Sequence, residues 1–146
     1  TSLYADLTIT CRKPGSVFDT VGLNAAPQGS FALHITGEGL VQFQVYDPAA
    51  RSNGRLQNGW HVLTSKTRFA RDATHRVTAT FDNGTCNLFV DGRREASLVV
   101  PTRLSGQPVY LGDFPGDEHW GAKYNIHQSM IGDVVVHHFG RAPRAE

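Results

Sequence analysis

Cysteine, methionine and net charge are all scarce in this chain of 146 residues, which carries two cysteines, one methionine and a formal charge of +1. Two cysteines cannot build the dense bridge framework of a small secreted scaffold; they allow one bridge or none. Fourteen basic against thirteen acidic side chains leave no basic excess for a nucleic-acid surface. The only local concentrations are Arg93-Arg94 and the Arg141/Arg144 tail, which read as solvated turn and tail residues. No run of ~18 apolar residues exists that could insert in a membrane as a helix. Ala, Leu, Glu and Lys never cluster at helical spacing, which argues against a helix bundle. The chain starts at Thr1 with no signal-like apolar segment, as expected of a mature form, a trimmed form or a piece of a longer protein.

What is abundant is punctuation. Fifteen glycines and seven prolines are spread along the sequence and imply many turns between short strands. The length suits one domain, residues 1–146. Alternation of apolar and polar residues dominates between the turns. Phe31, Leu33 and Ile35 fall on one strand face, and Val41, Phe43 and Val45 repeat the pattern after Gly37-Glu38-Gly39. Gln42, Gln44 and Tyr46 lie on the opposite, polar face. Asp47-Pro48 ends this second strand, because proline lacks the donor that a ladder needs. The most legible unit runs from His75 to Gly92. There Val77, Ala79 and Phe81 alternate with Arg76, Thr78 and Thr80, and Asp82-Asn83-Gly84-Thr85 supplies a type I′ turn. Further strands are expected at Ala5–Cys11, Trp60–Ser65, Glu95–Val100, Pro108–Gly112 and Met130–Phe139. The valines at 134–136 suggest burial on both faces or a place at the sheet centre. Residues 66–74 read as a polar connection, and Asp113–Gln128 as a long polar and aromatic loop. Around ten short strands, with no convincing helix, fit a two-sheet antiparallel β-sandwich of jelly-roll type.

The order of these units resembles the laminin-G-like branch of the concanavalin A-like lectin/glucanase superfamily. Ala5-Asp-Leu-Thr-Ile-Thr-Cys11 resembles an early strand of such domains, and Phe31–Val45 their pair of apolar strands around a glycine turn. His75–Asp82 followed by Cys86-Asn-Leu-Phe-Val-Asp-Gly92 resembles their most recognisable hairpin. Pro108–Gly112 and Ile131-Gly-Asp-Val-Val-Val136 resemble the strands that follow. The opening strand of such domains is hard to place in Thr1–Tyr4. Gly132 stands where they commonly carry an acid.

Catalysis has little support in the residues. Glycoside hydrolysis needs two carboxyl groups roughly 5 to 10 Å apart, and none of the four glutamates has an acid at i+2 or i+4 within a strand. The Glu/Asp/Glu set of the resembled glucanases is missing, as is a Gly-x-Ser-x-Gly elbow. Cys11 and Cys86 both alternate with apolar neighbours, so their thiols are expected to point inward, where a bridge stays open and nucleophilic reactivity is disfavoured. The seven histidines lack zinc-type spacing.

The 113–128 loop is the richest candidate. Asp113 and Asp117 offer hard oxygen ligands suited to Ca²⁺, and the resemblance implies calcium at a sandwich rim. Trp120 and Tyr124 could stack on sugar rings, with Asn125 and His127 beside them reading hydroxyls. Tyr46 is the further aromatic candidate, whereas Trp60 opens an apolar strand and is expected in core or rim packing. The expected function is non-catalytic recognition of a carbohydrate or glycoconjugate, with Ca²⁺ as candidate cofactor, in an extracellular or periplasmic setting. The alternatives are a protein-interaction, adhesion or accessory domain and, less favoured, a polysaccharide-cleaving enzyme. No nucleic-acid partner and no membrane insertion are expected.

Overall fold

A computed structural model describes residues 2–11, 18–25, 31–36, 38–47, 59–102, 109–111 and 130–139. In chain order the strands are β1 Ser2–Thr10, β2 Phe18–Ala25, β3 Phe31–Thr36, β4 Val41–Tyr46, β5 Trp60–Thr64, β6 Thr74–Asp82, β7 Thr85–Val90, β8 Arg93–Val99, β9 Val109–Leu111 and β10 Met130–Phe139. They form two antiparallel five-stranded sheets. The first, sheet A, has the order β10-β1-β6-β7-β8; the second, sheet B, has β5-β4-β3-β2-β9. The expected antiparallel sandwich is the fold of this protein.

The period-2 pattern sets what lies between the sheets. Leu3, Ala5, Leu7 and Ile9 of β1, Val77, Ala79 and Phe81 of β6, and Cys86, Leu88 and Val90 of β7 line the inner face of sheet A. Phe31, Leu33 and Ile35 of β3 and Val41, Phe43 and Val45 of β4 line that of sheet B. Their alternation leaves one face of each sheet pointing away from the core.

Turn chemistry agrees with the hairpins. Asn83 and Gly84 have φ of 45° and 87°, and Asp91 and Gly92 have 50° and 79°, so both tight turns place two successive residues in the left-handed region. Asp91 explains why a carboxylate ends the Val-Asp-Gly stretch. Its Oδ1 accepts from the Arg76 backbone N–H at 2.9 Å, and its Oδ2 lies 2.7 Å from Nδ1 of His75. The hydrogen bond from His75 and that from the Arg76 backbone hold the Asp91 carboxyl below its ordinary pKa. The hairpin is thus tied across its open end.

Four expectations change. A strand at Phe18–Ala25 has no counterpart in the sequence reading; its pairing with β3 slips between Asp19 and Gly22, which breaks the alternation that would reveal it. The first strand begins at Ser2 and not at Ala5, so Ser2–Tyr4 belong to it. β10 is an edge strand, with Val135 45% exposed and Val134 and Val136 packed on the core, so the valine run alternates faces and does not sit at the sheet centre. The 66–74 connection is no mere polar link. Phe69 is fully buried and its ring lies 4.2 Å from that of His75. Its N–H donates to the Gly39 carbonyl at 2.7 Å, closing one end of the sandwich.

Cys11 and Cys86 are buried, as the alternation requires, and are not bridged to each other. The Cys11 N–H bonds to Ala73, whereas Cys86 pairs with Phe81. Eight residues of β6 separate those partners, roughly 26 Å at the rise of a strand, against the roughly 7 Å a disulfide tolerates. Burial pushes the Cys86 thiol up to about 12. The case for an oxidising compartment therefore cannot rest on a bridge.

Candidate functional site

On sheet B the alternation that buries Val41, Phe43 and Val45 turns Gln42, Gln44 and Tyr46 outward. Register extends this face across neighbouring strands. Tyr46 is opposite Trp60, Gln44 opposite Val62, and Gln42 opposite Thr64. On the other side Ala32 is opposite Gln44 and His34 opposite Gln42. Three rows result: Tyr46/Trp60, then Ala32/Gln44/Val62, then His34/Gln42/Thr64. Successive rows lie roughly 7 Å apart, two residues of strand rise.

The first row is aromatic. The Tyr46 and Trp60 rings have centroids 5.3 Å apart at an interplanar angle of 55°, a tilted contact within the favoured range for aromatic pairs. Trp60 is therefore not a core residue; β4 register puts it on the polar face beside Tyr46, and both are half-buried. Val62, in the next row, is 42% exposed and adds an apolar step.

The third row is a hydrogen-bonded chain. Gln42 Nε2 donates to Thr64 Oγ1 at 3.4 Å. Gln42 Oε1 accepts from Gln44 Nε2 at 3.2 Å and lies 3.2 Å from His34 Nε2. Since that oxygen can only accept, the histidine proton sits on Nε2. His34 is 7% exposed although it is on an outward face. Burial lowers its pKa from 6.5 to about 4, against the opposing effect of the Gln42 hydrogen bond, so it is neutral at ordinary pH. Gln44 makes a single hydrogen bond among the described residues, through Nε2, which leaves its Oε1 as an acceptor at the middle of the face.

The outer face of sheet A is built differently. Asp6 is 2% exposed there and receives the Nε of Arg76 at 3.0 Å, its Nη2, and the Thr78 hydroxyl at 2.8 Å. Three donors satisfy the buried carboxylate, and the pairing with Asp6 raises the Arg76 pKa. The cluster ties β1 to β6 and is explained by that task. At the rim Glu95 accepts from the Lys66 and Thr67 backbone N–H groups at 2.9 and 2.8 Å, latching β8 to the connection that leaves sheet B.

Of the residues singled out from the sequence, the structure places Tyr46 in this array. Trp120, Tyr124, Asn125 and His127, and the candidate calcium ligands Asp113 and Asp117, lie outside the described residues. Missed were Trp60, Val62, Gln42, Gln44, Thr64 and His34. The signal for the glutamines was present, in their shared parity with Tyr46; the signal for Trp60 required the cross-strand register.

Two antiparallel sheets packed face to face, one carrying an aromatic and amide array on its outer side, define a lectin-like sandwich. The chain belongs to the concanavalin A-like lectin/glucanases superfamily, whose laminin-G model matches residues 11–133. No curated protein sequence matches it. Among solved structures it is similar to domains LG4-5 of the mouse laminin α1 chain, with a TM-score of 0.65 and 17% identity over 93% of this chain and 35% of that one. It is similar to the binding domain of botulinum neurotoxin serotype D, with a TM-score of 0.63 and 17% identity over 92% of this chain and 33% of that one. A Bacteroides ovatus protein provisionally assigned as carbohydrate-binding gives a TM-score of 0.62 and 14% identity over 92% of this chain and 36% of that one. The chain thus spans about a third of each of these structures, and the likeness is one of fold.

Proposed function

We propose that the protein is a non-catalytic module that recognises a carbohydrate or glycoconjugate on the outer face of sheet B. The observation that carries this is the Tyr46–Trp60 pair in line with the Gln44 and Gln42 amides. Aromatic rings cover the apolar faces of a sugar, while amides offer both donors and acceptors to its hydroxyls. The Bacteroides protein is provisionally assigned to carbohydrate, which supports the class of ligand by analogy. An extracellular or periplasmic home suits such a ligand. The 113–128 loop completes the proposal, with Trp120, Tyr124, Asn125 and His127 as further sugar contacts and Asp113 and Asp117 as oxygen ligands for Ca²⁺.

A glycan-array screen with and without calcium, using the protein and its Trp60→Ala and Tyr46→Ala variants, tests this. Selective binding weakened about tenfold or more by either variant, a loss of about 1.4 kcal/mol, is expected. No glycan binding, or binding indifferent to both variants, would turn the assignment toward a protein-interaction or adhesion module. A melting temperature unmoved by calcium or EDTA would remove the metal from the proposal.

A further inference from the structure

The three rows on the outer face of β3, β4 and β5 are free of formal charge. They contain Tyr46, Trp60, Ala32, Gln44, Val62, His34, Gln42 and Thr64, with no Asp, Glu, Lys or Arg among them. The nearest charges along the two strands lie past their ends. Asp47, after Tyr46, is 6% exposed and lies 3.4 Å from Nε2 of His61, with the core-side parity of Val45. Lys66, two residues past Thr64, is exposed and lies beyond the third row, in the connection that follows β5.

Resting on the carbohydrate assignment above, we infer that the ligand is an uncharged oligosaccharide lying along β4, and not a uronate-containing, sialylated or sulfated glycan. Polarity and length both point this way. A carboxylate or sulfate laid on half-buried Gln44, in the middle row, would lose water with no cation among the three rows to meet it, and an unpaired desolvated charge is costly. A hydroxyl there meets its match, because the Gln44 Oε1 accepts and the remaining amide N–H groups donate. From Tyr46 to Gln42 the face runs four residues, roughly 13 Å, with apolar contact offered first by the aromatic pair and then by Val62. A single ring would use one row; a chain of neutral sugars uses all three.

Isothermal titration of the full chain with neutral gluco-, galacto- and manno-oligosaccharides of graded length, and with oligogalacturonide, sialyllactose and heparin fragments, separates the possibilities at low and raised salt. The expected result is a neutral series whose affinity grows with length and is indifferent to salt, with the anionic glycans at least about tenfold weaker. Gln44→Lys is expected to reverse the order, gaining salt-sensitive binding of the anionic set while circular dichroism and melting remain those of a folded sandwich. Tight, salt-sensitive binding of an anionic glycan by the unaltered protein, lost in Trp60→Ala and Gln44→Ala, overturns the neutral-ligand inference and leaves the carbohydrate assignment standing. Absence of binding to either set, or binding that neither variant weakens, overturns both.

Discussion

Replacing His34 by glutamine should flatten the acid limb of the protein's stability curve. In the folded chain His34 is 7% exposed and its pKa is about 4, against 6.5 for an unperturbed histidine. Between those values the unfolded chain binds a proton that the folded chain refuses, so stability rises with pH there. The contribution is fully present above the unfolded pKa and is lost as pH falls. It diminishes by about 2 kcal/mol between pH ~7.5 and pH ~5, approaches about 3 kcal/mol near pH ~4 and then levels off. Glutamine keeps an amide N–H for Gln42 Oε1 but cannot take up the proton. Urea unfolding midpoints at a series of pH values, for the protein and for His34→Gln, give the two curves. Other titrating groups cancel in their difference, and so does any constant cost of the substitution. The difference should widen in favour of the variant by about 2 kcal/mol on going to pH ~5. Two curves that fall in parallel would show that His34 is not held neutral by burial.

Three further outcomes test the frame. Phe69→Ala should destabilise by about 3–5 kcal/mol, as removal of a buried phenylalanine does; a loss below ~1 kcal/mol in urea titration would contradict its part in closing the sandwich. Gly39 and Gly92 have nearly equal φ, 81° and 79°, but a Cβ at Gly39 would stand 2.7 Å from the Phe69 carbonyl oxygen while one at Gly92 meets nothing within 4 Å. Both alanine variants should therefore carry the left-handed penalty of about 1–2 kcal/mol, with Gly39→Ala melting several degrees lower, and equal melting points would count against that contact. A disulfide-exchange reagent at neutral pH should leave both thiols untouched until the protein is unfolded, because each is buried and the Cys86 pKa is about 12; prompt modification of either would place a thiol at the surface.

Local rules read from the sequence carried most of the scaffold. Asn83-Gly84 marks its hairpin through the positive φ that both positions adopt, and the odd-numbered run from Phe31 to Val45 marks its buried face. The failures share a cause: alternation gives the face of a strand and not its neighbours. Cys11 and Cys86 both point inward, yet only the pairing of β1, β6 and β7 shows them at opposite ends of one sheet. Trp60, Val62 and Leu63 look equally apolar, yet pairing with β4 turns the first two outward and Leu63 inward. β2 escaped because a slip in its pairing interrupts its period. Of the array, Tyr46 and the glutamines were visible as one polar face, while the assembly of three rows needed strands that are distant in sequence.

The strict parity of β4 divides its labour between inheritance and innovation. Positions 41, 43 and 45 belong to the core, while 42, 44 and 46 touch only the outer face. Mutational drift at the second set can explore new partners without endangering the first. A library randomised at 42, 44, 46, 62 and 64 would sample recognition on a constant framework, much as loop variation does elsewhere. Here, though, the variable surface would be a rigid sheet, so each new specificity would arrive already preorganised.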